Sequence, residues 1–326
     1  MQAPDTIQLG SSGPRVYPIA LGCMGMSAIY GPTDDETSVR VIQSAIERGV
    51  NLIDTGDFYA SGHNELLVGK AIEGRRDRVL LSVKFGVMRT PDGGWSGADC
   101  RPAAVKNFAA YSLKRLGVDV IDIYRPARLD PNVPIEDTVG AIKDLIDKGY
   151  VRHVGLSEVG VDTIRRAHAV HPIADLQIEY SLLSRDPEDR IFPALAELGI
   201  SATLYGVLSR GLLAGAKLAP GDARAHMPRF QSANAEQNQK LAEAVRRLAT
   251  EWGMTPGQLV IGWARAKQPA LVPLIGARTP QQLDDALAAR PLTAEQVAAV
   301  EAAVPRGAVA GTRYHGEQMK HLDSER

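Results

Sequence analysis

Short, almost uniformly apolar runs alternate along this chain with longer stretches in which apolar residues recur every three or four positions. The runs are VNLIDT, RVLLSVKF, VDVIDIY, VRHVGLS, ADLQIEYS, ISATLYGV and PALVPLIGA. Strands this apolar are buried on both faces, as in parallel sheets covered by helices. The spaced stretches predict amphipathic helices over Asp34 to Arg48, Asn64 to Glu73, Pro102 to Leu116, Ile135 to Lys148, Asp162 to Ala169, Pro187 to Leu198 and Ala235 to Trp252. Three more follow, in TPGQLVIGWARAKQ, TPQQLDDALAA and TAEQVAAVEAAV. Thr33-Asp34 supplies an N-cap with acids behind it, and Gly49 sits where a left-handed terminator belongs. TPGQ and TPQQ each offer a Thr cap followed by Pro at the first helical position. Ahead of all this, TIQLG and RVYPIALG flank the turn SSGP and predict a hairpin.

Strand followed by helix, repeated about eight times, closes as a (β/α)8 barrel or opens as a doubly wound sheet. The open sheet calls for a glycine-rich phosphate turn after an early strand. LGCMGMS is the nearest segment, and it lacks the G-x-G-x-x-G spacing. We therefore expect an α/β fold, a TIM barrel with an N-terminal β-hairpin and extra C-terminal helices. It should form one domain over residues 1–326, with an irregular loop insertion over roughly 211–233.

Composition narrows the function. A net charge of −1 gives no basic excess for nucleic acid and no polybasic patch for a membrane surface. No apolar run approaches a bilayer span, and MQAPDTIQLGSSG lacks the pattern of a signal peptide, so a cytoplasmic protein is expected. Cys23 and Cys100 have no metal or CxxC spacing; they are expected to be reduced thiols, and no metal is expected. Nothing in the chain reports an oligomeric state.

Catalytic groups of such barrels sit at the C-terminal ends of the strands. Strand two delivers Asp54, with Tyr59 in the following loop, and strand three delivers Lys84. Strand five ends in Ser157 and Glu158, strand six carries Gln177, Glu179 and Tyr180, and strand seven ends at Tyr205. Singly, a Lys near a strand end snorkels and an acid caps a turn. Together they can converge: Asp54 would hold Lys84, and Lys84 would draw the Tyr59 phenol below its usual pKa of about 10. A phenol tuned in that way donates a proton near neutral pH.

The segments LIDTGDFYASGHNE, LSVKFG, SLKRLGVDVIDIY, VPIEDTVGAIKDLIDKGYVRHVGLSE, SRGLLAG and LIGARTPQQLDDAL resemble, in order, the aldo-keto reductase superfamily, from about Ile7 to His315. They are most similar to the microbial and plant branch that includes pyridoxal- and perakine-type reductases. The resemblance implies reduction of an aldehyde or ketone by NADPH held in extended form, with Asp54, Tyr59 and Lys84 as three members of a catalytic tetrad. It places Ser157 and Gln177 on the carboxamide, Tyr205 against the nicotinamide ring, and Leu208, Arg210 and Gly276 along the cofactor. Glu158 stands where many relatives have Asn. At the adenine end it implies Arg278, Gln282 and Asp285, with Arg278 beside a helix N-terminus suited to phosphate. Met24, Tyr30 and Trp95 are the weaker pocket candidates. The fourth tetrad member is replaced: DIYRPARLDP puts Ala127 where the family has His. Side-chain alternation then turns Arg125 inward one layer below, unless Pro126 breaks the alternation and sends it out to a helix acid. An inward Arg125 is expected to compensate by offering a cation to the carbonyl oxygen and competing with Lys84 for Asp54. The rival reading is a nicotinamide-binding sensor or regulatory protein with weak turnover.

Overall fold

The computed structural model describes residues 6–215, 218 and 222–325. The parts of the expected domain at 1–5 and 326, and of the expected insertion at 216, 217 and 219–221, lie outside the described residues.

Eight parallel strands close on themselves: β1 Ala20–Gly22, β2 Leu52–Gly56, β3 Leu80–Phe85, β4 Ile121–Pro126, β5 Val151–Ser157, β6 Ile173–Glu179, β7 Ser201–Tyr205 and β8 Val272–Gly276. Each pairs with the next, and β8 returns to β1. This is the (β/α)8 barrel that the alternating pattern predicts. The helices around it are α1 Asp35–Glu47, α2 His63–Ile72, α3 Pro102–Leu116, α4 Ile135–Asp147, α5 Val161–Val170, α6 Ile191–Leu198, α7 Ser232–Glu251 and α8 Pro256–Lys267. After β8 come α9 Pro280–Ala288, α10 Ala294–Ala303 and the short α11 Gly316–Lys320. The start signals work as expected: Asp34 accepts the Thr37 amide, and Thr255 closes a full capping box with Gln258. Among the described residues no helix is long and apolar enough to cross a membrane.

Two boundaries and one added element depart most clearly from expectation. The run RVYPIALG is two strands: Arg15–Val16 completes the hairpin with Ile7–Gln8, and β1 begins only beyond Pro18, which has no amide hydrogen for a ladder. α6 starts at Ile191, because Asp186–Glu188 forms a separate turn. A second hairpin, Val87–Arg89 with Trp95–Ala98, follows β3 and carries no alternation long enough to predict it.

The hairpin ahead of β1 closes the barrel floor with apolar side chains. Leu9 and Val16 are fully buried and pack with Ala20, Leu52, Ile123, Val272 and Leu274. Above that apolar layer the interior turns polar. Asp54 is paired in register with Ser82, Gly56 with Lys84, and Gln177 with both Ser157 and Thr203. The period of two along each strand thus stacks an apolar floor, a polar middle and a mouth in which ionisable groups meet.

Candidate active site

The loop that carries Tyr59 is shaped by its backbone. Ala60 and Ser61 have φ of 45° and 53°, and Gly62 has 98°. A left-handed non-glycine residue costs on the order of 1–3 kcal/mol, so the turn must be held from outside. A buried network does so. Thr55 Oγ1 donates to Asn64 Oδ1 at 2.7 Å, and Asn64 Nδ2 donates to Cys23 O at 2.9 Å and Ser27 Oγ at 2.7 Å. Arg115 closes beneath Gly62, where an added Cβ would meet its Cδ at 2.9 Å. The result fixes Tyr59, 6% exposed, over the end of β3.

Asp54, Tyr59 and Lys84 come together as their positions at the strand ends lead one to expect. Lys84 Nζ is bonded to Asp54 Oδ1, and it lies 5.4 Å from the centroid of the Tyr59 ring. The second Asp54 oxygen accepts from Ser82 Oγ at 2.7 Å and Gln177 Nε2 at 2.8 Å. Gln177 is therefore engaged by Asp54, and Ser157 lies beside it in register.

The expected tuning of Tyr59 is overturned. Burial, followed by the Asp54 charge, pushes its phenol well above the ordinary value; the leading cation acting the other way is Arg128, not Lys84. The Lys84 ammonium is itself drawn down, first by burial and then by Arg125 against the opposing pull of Asp54. Tyr59 thus stays protonated across the physiological range, the state an acid needs before it donates.

The expected role of Arg125 is also corrected. It points inward, so Pro126 does not break the alternation, but it does not reach the mouth. Its guanidinium is fully buried, 3.0 Å from Asp175, and donates to Ser82 Oγ at 2.9 Å. Asp175 also accepts from Thr203 Oγ1 at 2.8 Å. Arg125 belongs to the polar layer beneath Asp54 and does not compete with Lys84 for it. Ala127 continues β4 by one step, its amide donating to Phe85 O at 2.9 Å, and it is buried.

Glu158 was assigned no contact by sequence reasoning, and it proves to be a hub. It holds φ at 52°, is fully buried, and accepts from the Glu179 amide at 2.9 Å, Tyr205 Oη at 2.7 Å and Ser324 Oγ at 2.6 Å. Arg313 binds both its oxygens, at 3.1 and 2.9 Å. Burial raises the Glu158 carboxyl, but the Arg313 charge and hydrogen bonds outweigh it and hold the group at about 2. Tyr314, next to Arg313, puts its hydroxyl 3.2 Å from that of Tyr205 and its ring 4.6 Å beneath Arg210. Burial raises the Tyr314 phenol, yet Arg210 and Arg128 together leave it below the ordinary value. Arg210, in a left-handed turn that follows Leu208, donates to Glu179 at 3.3 Å.

At the far side of the mouth, Gln282 Oε1 accepts the Arg278 amide at 2.8 Å, and Arg278 Nη1 donates to Tyr30 O at 2.9 Å. No ion pair occupies Arg278 among the described residues. Asp285 instead accepts from Thr255 Oγ1 at 2.7 Å and braces the start of α8. Gly276 is exposed, and a Cβ there would meet only Gly22 O at 3.7 Å, so this edge is open to a ligand. Met24 lies in the turn Met24–Met26 after β1, while Trp95, 41% exposed, stands on the second hairpin.

One group near the tetrad positions titrates close to neutrality. Asp57 has a carboxyl oxygen without a partner, and burial, then Glu65, lifts its pKa from 3.8 to about 7. A carboxyl raised on folding weakens the fold as pH climbs from the unfolded to the folded value, and the effect levels off above about 7. Between pH 5 and 8, wild type should lose roughly 2–3 kcal/mol relative to Asp57→Asn, at about 1.36 kcal/mol per unit. Urea denaturation of both proteins at the two pH values checks this; parallel pH dependences would show that Asp57 ionises freely.

Residues 18–305 match the Aldo/keto reductase family. The chain is 39% identical over 321 residues to the probable aldo-keto reductase 1 of Glycine max, covering 95% of this chain and 91% of that one. Its structure is similar to that of a glycerol dehydrogenase of Gluconobacter oxydans, with a TM-score of 0.83 and 26% identity over 99% of this chain and 98% of that chain. It is also similar to an aldo-keto reductase of Bacillus halodurans in its holo form, with a TM-score of 0.78 and 29% identity over 95% and 99% of the two chains.

Proposed function

This chain belongs to the aldo/keto reductase family, oxidoreductases that act on carbonyls with a nicotinamide cofactor, and from that premise we propose that it is an NADPH-dependent reductase of aldehydes or ketones. The observation that carries the reading is the convergence of Asp54, Lys84 and Tyr59 at the C-terminal mouth of one barrel.

The residues at the mouth fit such a cofactor. Among the described residues Arg278 forms no ion pair, and it stands beside the capped start of α9, which suits a phosphate. Gly276 leaves the adjoining edge clear, Ser157 and Tyr205 end β5 and β7, and Gln177 lies between them on β6, two residues before its end. When bound, NADPH supplies the hydride that reaches the carbonyl carbon. The protein's part is to place the carbonyl and deliver the proton. Tyr59, protonated, donates from its hydroxyl to the carbonyl oxygen. Lys84 and Arg128 are the cations placed to stabilise the phenolate left behind, and Asp54 keeps Lys84 charged and in place. The closed apolar floor keeps water from entering through the barrel axis.

Preference for NADPH over NADH follows from Arg278. One charge-assisted contact contributes roughly 1.5–3 kcal/mol, or about tenfold to a hundredfold in affinity. Arg278→Ala should lose that factor for NADPH and little for NADH, as fluorescence titration would show. Equal affinity of wild type for both cofactors would remove the basis for the preference. The rival, a cofactor-binding sensor with weak turnover, draws on Ala127, whose methyl group cannot orient a carbonyl. Oxidation of NADPH by neutral aldehydes decides between them. Residues 1–326 are read as a single domain with its expected insertion after β7, working in the cytoplasm.

A further inference from the structure

Ala127 leaves the fourth tetrad position without a polar group, and the residue after it has N–H groups to spare. Arg128 is half-buried at the end of β4. Its Nη1 donates to Ala127 O at 2.6 Å, which engages one of its five N–H groups. Three guanidinium groups face the ring of Tyr314: Arg210 at 4.6 Å and Arg128 and Arg313 at 5.9 Å. Arg210 is paired with Glu179, and Arg313 with Glu158, Glu179 and Glu325. Arg229 also closes on Glu179, and Arg224 on Asp222. Among the described residues Arg128 alone of the three around Tyr314 forms no ion pair. Glu158, Glu179 and Glu325 pair, among the described residues, with Arg210, Arg229 or Arg313, and none of them pairs with Arg128. Burial opposes the Arg128 charge, but Tyr314, Tyr205 and Glu158 outweigh it and raise its pKa, so the guanidinium stays a cation although, among the described residues, no carboxylate is hydrogen-bonded to it. Arg128 follows the stretch of β4 that pairs with the end of β3, where Lys84 stands, and its charge acts on the Tyr59 hydroxyl.

We propose that Arg128 anchors an anionic oxygen group of the substrate, so that the compounds preferred by this site carry a carboxylate or phosphate near the carbonyl. The planar fork matches either anion through two parallel hydrogen bonds, and a bound anion supplies the charge that the surrounding carboxylates do not. The methyl group of Ala127, buried at this position, takes less room than the imidazole that the family carries there. The inference rests on the reductase reading for its substrate class, but the anion site itself can be tested without turnover.

Two matched pairs of aldehydes separate the contributions: 4-carboxybenzaldehyde against methyl 4-formylbenzoate, and glyceraldehyde 3-phosphate against glyceraldehyde. Wild type should favour the anionic member of at least one pair in kcat/KM, and the pair that shows it tells carboxylate from phosphate. Arg128→Ala should reduce that preference roughly tenfold to a hundredfold, mainly through KM, and Arg128→Lys should restore part of it. Calorimetric titration with benzoate and inorganic phosphate should show binding of at least one anion to wild type and its loss in Arg128→Ala. A wild type without anion preference, or a ratio unchanged by Arg128→Ala because both members fall together, would overturn the assignment. So would a wild type that binds neither anion, or equal anion binding by wild type and variant. If no aldehyde is turned over at all, the reductase reading fails, and the titration still decides for or against the anion site.

Discussion

Tyr59→Phe is expected to slow carbonyl reduction by roughly 10²–10⁴-fold, the range of a lost general acid, with NADPH affinity retained. The substitution removes one oxygen and keeps the ring. That ring is buried and packs edge-on against Phe58 at a centroid distance of 4.7 Å, so the loop has no reason to move. What disappears is the only phenol of β2 and its loop, in the place where the Asp54 and Arg128 charges act and Lys84 lies 5.4 Å from the ring. Lys84→Met should show a different signature. Asp54 would be left buried with Ser82 and Gln177 but without its cation, so turnover should fall and stability with it. Single-turnover kinetics on NADPH-saturated protein separate chemistry from binding. Near-normal turnover in Tyr59→Phe would move the proton to another group. Tyr314 would then be the candidate, because it is the phenol that its neighbours hold below the ordinary value.

Arg125→Leu should lower stability by about 3–5 kcal/mol, the usual consequence of removing one partner from a buried ion pair. Asp175 has no exposure, and Thr203 Oγ1 is the donor that remains to it. Ser82 would also lose a donor, and Ser82 is one of the two neutral groups bonded to Asp54. Replacing both charges, as in Arg125→Met with Asp175→Asn, should recover much of the loss, since neutral side chains leave no uncompensated carboxylate. Urea denaturation of the single and double variants measures both effects. A loss below about 1 kcal/mol for Arg125→Leu would mean that water or movement of the strand relieves Asp175.

Much of the barrel was legible because two periods coexist in the chain. The eight strands are too apolar to face water, and the helices between them repeat at three and four, which leaves few architectures. The same alternation that located Lys84 also locates Ser82, Asp175 and Thr203, each two residues before a residue singled out for the site. They went unread because a Ser, Asp or Thr inside a strand carries no chemistry until its neighbours across the barrel are known. Arg125 shows the limit most clearly: its inward direction could be deduced, but its partner lies 50 residues away. Glu158 looked like a departure from pattern at a known position. Its meaning depends on Arg313 and Ser324, in a segment whose local sequence shows neither a strand nor a strong helix. Tyr59 was found by position, whereas its tuning depended on burial, and burial outweighed the nearby ammonium.

The link between Glu158 and Arg313 also bears on how the protein is made. The two residues are 155 positions apart, and synthesis runs from the first to the second. All eight strands have been translated before Arg313 exists, so a nascent chain can close its sheet while the Glu158 carboxylate has no guanidinium. Until that cation arrives, the Glu158 carboxylate has the Glu179 amide and the Tyr205 hydroxyl as donors but no guanidinium closing on both its oxygens. The corner of the mouth that Glu158 and Arg313 join is therefore completed last. A ribosome that stalls short of Arg313 would release a closed but unlatched barrel, and that loose seam is where a protease could tell an incomplete copy from a finished one.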